Sequence, residues 1–158
     1  MRFVVQRVLT ANVSINDEII SSIGRGLCVL VGISRDDTSK DADYMIKKLL
    51  NLRIFENDNG KRWSLSVSDK KFEILCVSQF TLYCTLKGNK PDFHLSMEAE
   101  KSKLFYAEFL DKLRRAYQPD LVKDGQFGAL MQVNIQNDGP VTINLEYGGK
   151  TAAEESNP

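Results

Sequence analysis

A chain of 158 residues, 42% hydrophobic and 27% charged, is long enough to bury one core without metal or disulfide staples. Its 21 basic and 21 acidic residues cancel, which argues against a protein that grips long stretches of nucleic acid through a basic face. Three cysteines (Cys28, Cys76, Cys84) form no CxxC pair and leave one over, a usage that suits a reducing, cytoplasmic setting, and no apolar run reaches the ~20 residues of a membrane span.

Residues 3–33 read as β structure. Phe3, Val5 and Arg7 alternate with Val4, Gln6 and Val8, and the arginines at 2 and 7 make this run a strand rather than a signal peptide. A second run over 11–15 is followed by the turn pair Asn16-Asp17 and a third run over 18–23. Gly24-Arg25-Gly26 then turns the chain into 27–33, which is apolar throughout, as a strand covered on both faces must be. These glycines carry part of a GxGxxG pattern, but no helix follows, so phosphate binding is not expected there.

Residues 36–52 read as a helix: Thr38 with Asp41 spells a capping box, and Ala42, Met45, Ile46 and Leu49 fall on one face. A short strand around 53–55 ends in the turn cluster Asn57–Gly60. The apolar strand 72–77 leads into Ser78-Gln79-Phe80-Thr81. After a loop over 86–96, Ser96 is the expected N-cap of a helix over 97–117, whose stripe of Phe105, Phe109, Leu110, Leu113 and Tyr117 faces a core and which Pro119 stops. Two strands, 126–135 and 141–145, joined at Asn137-Asp138-Gly139-Pro140, complete the pattern. The polar residues 148–158 are expected to be a disordered tail. The sum is one α+β domain over 1–147, a mainly antiparallel, barrel-like sheet with two covering helices.

The usual catalysts are sparse. His94 is the single histidine and has no nucleophile at a recognisable spacing, so a surface or structural role is expected of it. One histidine and three scattered cysteines make no metal set, and no cofactor motif is present. Cys28 and Cys76 sit in apolar strand runs and read as small buried hydrophobes, and Cys84 is a weak candidate nucleophile. Two polar segments stand out. Ser78-Gln79-Phe80-Thr81 ends a buried strand with hydroxyl and amide groups around one ring; it reads either as a strand edge satisfying backbone groups or as a small site with oxyanion donors and a stacking face. Asn137-Asp138-Gly139-Pro140-Val141-Thr142 reads as a hairpin turn, with a proline unusually placed where a strand resumes.

At these two segments the chain resembles the D-aminoacyl-tRNA deacylases, which carry SQFT and NxGPVT motifs; both stand here at 78–81 and 137–142. The likeness extends to Met1–Val8, Asn51–Phe55, Lys87–His94 and Phe127–Met131, and covers residues 1–147. It implies that family's fold, a homodimer, and hydrolysis of the ester joining a D-amino acid or glycine to tRNA. It further implies RNA-assisted catalysis, in which the 2′-OH of the terminal adenosine helps activate water. Carried over by position, Ser78, Gln79, Phe80 and Thr81 line the catalytic pocket, with the Phe80 backbone and the Thr81 hydroxyl as oxyanion donors. Phe127, Gly128, Ala129 and Met131 flank the adenine. Gly139-Pro140 matches a cis-proline motif that enters the partner subunit's site and excludes L side chains, and Arg7 matches the arginine that orients it. No metal or cofactor is implied; the partners are the 3′ end of aminoacyl-tRNA and a second copy of the chain. Some eukaryotic relatives have been linked to DNA replication origins through a long basic extension. The eleven residues after Tyr147 hold one lysine and two glutamates, so a DNA-tethering tail is not expected.

Overall fold

The computed structural model describes residues 1–148; the tail expected to be disordered lies, Gly148 apart, outside the described residues. Its longest elements are two strands that the sequence pattern had broken into pieces. β1 runs unbroken over Arg2–Ile15. Its buried positions slip in phase, from Phe3 and Val5 to Val8 and then to Ala11 and Val13, and such a slip reads in sequence as an interruption. Irregularities in its pairing on either side of Val8 absorb the slip. β8 is likewise one strand, Gln132–Glu146, antiparallel to β1 along nearly its whole length. Residues 137–140 are therefore not a hairpin turn but a bulge inside a strand.

β2 (Glu18–Ile23) returns from β1 through Asn16 and Asp17, both with positive φ, as the tight hairpin turn demands. β3 (Gly26–Gly32) is central and buried at six of its seven positions. The sheet runs β2-β1-β3-β4-β7, with β8 on the far edge of β1. It is mixed rather than mainly antiparallel, since β3 pairs in parallel with β4 (Glu73–Ser78) and β4 with β7 (Val122–Asp124). Parallel neighbours require long crossovers, and these carry the helices. The sheet curls until β2 lies against β4 and β7.

The first crossover contains α1 (Ser39–Asn51), capped as expected: the Thr38 amide donates to Asp41 Oδ2 at 2.7 Å. It also contains a third, single-turn helix, α2 (Val67–Lys70), boxed by Ser66 and Asp69. The strand expected at 53–55 shrinks to one bridge, Phe55 with Leu65. The second crossover contains α3, which starts at Ala99, not Met97. Glu98 caps it by accepting from the amides of Glu100 and Lys101, and Ser96 is engaged elsewhere. Met45 and Leu49 of α1 and Phe109 and Leu113 of α3 pack on Phe3, Val5, Val29 and Ile74 in the main core. The opposite sheet face closes over Val8, Ala11, Val13, Cys28, Leu75 and Val77, with Val133 and Ile135 of β8 packed on them. Burial raises both core thiols, Cys28 to about 11 and Cys76 further, so neither is a thiolate at neutral pH.

Candidate active site

At the C-terminal end of β4 the sheet hands over to a tight turn. The Gln79 amide makes the last ladder bond, to Val31 O at 2.8 Å, and Phe80–Tyr83 then wind into a 3-10 turn. This turn lies directly on β3, and the close approach needs glycine at position 32: a Cβ there would stand 2.9 Å from Leu82 Cβ. Tyr83 is wholly buried under the Arg2 guanidinium, which also donates to Leu82 O at 2.8 Å and clamps the turn from the other side. Ser96 Oγ donates to Phe80 O at 2.9 Å, tying the turn to the loop before α3.

The side chains this turn presents are polar or open. Gln79 Nε2 donates to Thr81 Oγ1 at 2.5 Å. Because that oxygen serves as acceptor, the Thr81 proton is left to donate outward. Phe80 leads the 3-10 turn, so its amide has no partner within the turn. Its ring is 57% exposed and is braced edge-on by Phe93 at 5.0 Å.

Beside the turn is a cavity of about 620 Å³. Ser78, Gln79 and Phe80 form one wall, and Phe127, Gly128, Ala129 and Met131 form another. The second wall is a loop between β7 and β8: Gly128 has φ 76°, and the Ala129 amide closes a turn onto Gln126 O. Phe127 leans on Tyr106, whose hydroxyl donates to Asp124 Oδ1 at 2.6 Å. Burial pushes the Asp124 carboxyl up, and the Tyr106 hydrogen bond only partly opposes that. Thr81 is not one of the cavity walls but touches it through Gln79. Wall residues that sequence reasoning missed include Phe93, Ser96, Met97, Glu98 and Leu130. Of these, Phe93 falls within 87–94 and Leu130 within 127–131, two of the stretches that carry the family resemblance. The others are placed by the crossover alone.

Among the described residues the walls carry neither histidine nor cysteine, and their single carboxylate is Glu98. The two backbone amides that Glu98 caps hold its carboxyl below the usual range, making it a poor base. His94 and Cys84 lie outside the cavity; His94 Nδ1 pairs with Asp92 Oδ2, and Cys84 Sγ donates to Thr85 O.

Gly139 and Pro140 are elsewhere. They line a second cleft with Arg7, and within one chain they do not meet Ser78–Thr81. The Gly139–Pro140 bond is cis. β1 residues Gln6 and Val8 pair with Thr142 and Asn137, so Arg7 alone stands opposite the four residues 138–141. The bulge is closed at its base by Asn137, whose Nδ2 donates to Arg7 O at 2.9 Å and Val141 O at 3.0 Å. Arg7 Nη1 donates to Ile54 O at 2.7 Å, and its Nε lies 3.1 Å from Asp138 Oδ2, an ion pair bent away from hydrogen-bond geometry. Position 139 admits only glycine: φ is 123°, and a Cβ would stand 2.7 Å from Val141 Cγ2 and 2.9 Å from Val141 N.

Residues 4–146 match the profile of the D-Tyr-tRNA(Tyr) deacylases. The chain belongs to that family. The human protein D-aminoacyl-tRNA deacylase 1 is 63% identical over 146 residues, covering 92% of this chain and 70% of its own. The Drosophila melanogaster D-aminoacyl-tRNA deacylase is 59% identical, covering 92% of each. A solved structure described as c-Myc DNA Unwinding Element Binding Protein is 62% identical, superposes with a TM-score of 0.92 and covers 94% of this chain and all of its own. The deacylase family thus supplies a frame for two separate groups of residues, one around a cavity and one on a bulge.

Proposed function

We propose that this chain clears misattached residues from tRNA by hydrolysing the ester of D-aminoacyl-tRNA, with the RNA itself assisting, and that it does so as a homodimer. As a deacylase it is a hydrolase acting on ester bonds. The observation that carries the reading is a cavity holding the Ser78–Phe80 segment and the Phe127–Met131 loop together, without a histidine or cysteine nucleophile and with its one carboxylate already engaged. Such a site is suited to binding and polarising an ester rather than attacking it.

In this reading the terminal adenosine stacks between Phe80 and the 127–131 loop. A water activated with help from the ribose 2′-OH adds to the ester carbonyl. The Phe80 amide and the Thr81 hydroxyl receive the developing negative oxygen, Gln79 fixing the rotor of Thr81. The ester C–O bond then breaks, water's oxygen stays on the amino acid, and its proton goes to the departing ribose oxygen.

Selectivity belongs to Gly139–Pro140. Since the bulge and the cavity lie apart in one chain, the motif acts in trans, inserted into the cavity of a second copy. Support comes from β8 itself, a 15-residue strand that among the described residues pairs only to β1, with Gly139 and Pro140 exposed. The inserted backbone occupies the space an L side chain needs and leaves open the side to which a D side chain points. Glycine has nothing to exclude and is a substrate too, including glycine misattached to the alanine tRNA.

Hydrolysis of matched D-Tyr-, L-Tyr- and Gly-charged tRNA without added metal tests this. Release of D-Tyr and Gly with L-Tyr spared is the expected result. Three intact substrates would refute the enzymatic reading and turn attention to DNA, the ligand class indicated by the name of the 62%-identical solved relative.

A further inference from the structure

The cleft that carries Gly139–Pro140 has features that selectivity does not use. It measures about 470 Å³, and its walls include Arg7, Arg25, Arg62 and Trp63, with Glu56 and Asp138 as the opposing carboxylates. Arg7 is neutralised by Asp138. Arg25 and Arg62 are exposed and, among the described residues, form no ion pair; the Arg25 guanidinium is held over the Phe72 ring at 4.9 Å. Glu56 is thus the one carboxylate left against two unpaired guanidinium groups.

Trp63 is the more telling residue. It is the only tryptophan of the chain, it is 57% exposed, and its φ is 57°, a backbone conformation that a bulky residue rarely adopts. The surrounding loop is not loose. The Lys61 amide donates to Asn57 Oδ1 at 2.9 Å, the Asn57 amide to Lys61 O at 3.0 Å, and the Phe55–Leu65 bridge closes the loop behind Trp63. A fixed loop therefore presents a large ring to water in a cleft that two unpaired arginines also line. A flat aromatic face beside guanidinium groups is the chemistry of single-stranded nucleic acid, ring for base and cation for phosphate. It also answers the puzzle of net charge: a chain with 21 charges of each sign binds RNA by placing a few unpaired cations on one short path.

We propose that Arg25, Arg62 and Trp63 hold the single-stranded RNA leading away from the terminal adenosine, Trp63 stacking on a base and the arginines binding phosphates. This rests on the reading of the chain as a tRNA deacylase working in trans. There the bulge of one subunit enters the cavity of the other, and the cleft beside the bulge lies next to the strand that emerges from it.

The single tryptophan makes the test direct. Uncharged tRNA, added to the full-length protein, quenches Trp63 emission, whereas adenosine alone does not. In the double variant Arg25→Gln/Arg62→Gln the quench appears at roughly tenfold higher tRNA. The salt dependence of binding also flattens, by about 0.7 in log–log slope for each phosphate no longer neutralised. Trp63→Ala, followed by filter binding, loses roughly tenfold or more in affinity. All three substitutions leave hydrolysis of D-aminoacyl-adenosine, which ends before the cleft, at the wild-type rate. Unquenched emission, wild-type tRNA affinity in the variants, or equal quenching by single-stranded DNA would overturn the assignment. So would a Trp63→Ala protein that sediments as a monomer, since the ring would then belong to the subunit interface. Failure of the deacylase reading would look different: wild-type protein would hydrolyse neither substrate, whatever the emission does.

Discussion

Thr81 and Gln79 divide between them a task that neither side chain performs alone. A threonine hydroxyl in water rotates freely and donates in any direction. Here the Gln79 amide occupies an acceptor position on Thr81 Oγ1 and biases the proton outward. Thr81→Ala removes that donor and should lower turnover by ~10²–10³ in single-turnover hydrolysis of D-Tyr-tRNA, with little change in melting temperature because Thr81 is exposed. Unchanged turnover would remove Thr81 from the oxyanion site. His94→Ala and Cys84→Ala, both outside the cavity, should leave the chemical step intact, and lost chemistry in either would contradict catalysis without a protein nucleophile. Single residues also explain part of what the sequence made legible. Ser78, Gln79 and Phe80 stand out because polar groups follow a buried strand abruptly. Ser96 has the local chemistry of a helix cap, but its hydrogen bond to Phe80 O depends on a neighbour sixteen residues away.

Among the elements, the bulge of β8 shows how a strand carries a projecting loop without losing its pairing. Three side chains share the labour: Asn137 replaces ladder bonds across the base, Arg7 ties the loop to Ile54 O and Asp138, and Gly139 supplies a conformation closed to other residues. Asn137→Ala leaves two carbonyls without their donor and should cost about 1–3 kcal/mol in denaturant unfolding. Gly139→Ala adds strain of similar size, ~1–3 kcal/mol. It should also damage selectivity before stability, detectable as L-Tyr-tRNA hydrolysis by a protein that is still folded. The small hairpin of β5 (Thr85–Lys87) and β6 (Lys90–Asp92) has a different weakness. Hydrogen bonds from His94 and then Lys87 hold the Asp92 carboxyl well below the usual range. A depressed carboxylate stabilises the fold above its unfolded value of ~3.9, and that contribution fades as pH falls below it. The protection of hairpin amides against exchange, taken relative to unstructured peptide at the same pH, should therefore fall as pH drops from about 4 to about 2 in the wild-type protein but much less in Asp92→Asn. An equal loss of protection in both would mean that another group governs the hairpin.

At the scale of the whole molecule, the decisive feature is separation. The cavity lies where β4 ends, the bulge lies in a strand on the far edge of β1, and one chain leaves them apart. The proposed function thus predicts a dimer: sedimentation equilibrium should give twice the chain mass, and dilution to monomer should abolish selectivity, L-Tyr-tRNA then being hydrolysed alongside D-Tyr-tRNA. A monomer that still discriminates D-Tyr-tRNA from L-Tyr-tRNA would show that the bulge is not the filter.

Local chemistry was readable because it is local. The capping box at Thr38 and Asp41, the positive-φ turn at Asn16-Asp17 and the buried β3 run follow from side chains acting on their own few neighbours, whereas segments 78–81 and 127–131 are marked as a site by the family resemblance and brought to one cavity, Thr81 at its edge, by the fold. Pairing partners were not readable. β1 and β8 looked like four strands because their alternation breaks, and only their alignment side by side turns each break into a bulge within continuous pairing. The parallel neighbours of β4 were missed for the same reason. Periodicity reports which face of a strand is buried, but strand direction is settled by crossovers tens of residues long. The sequence by itself therefore determined the chemical groups at both sites, whereas the tertiary structure alone decided that one group lines a cavity and the other projects from a bulged edge strand.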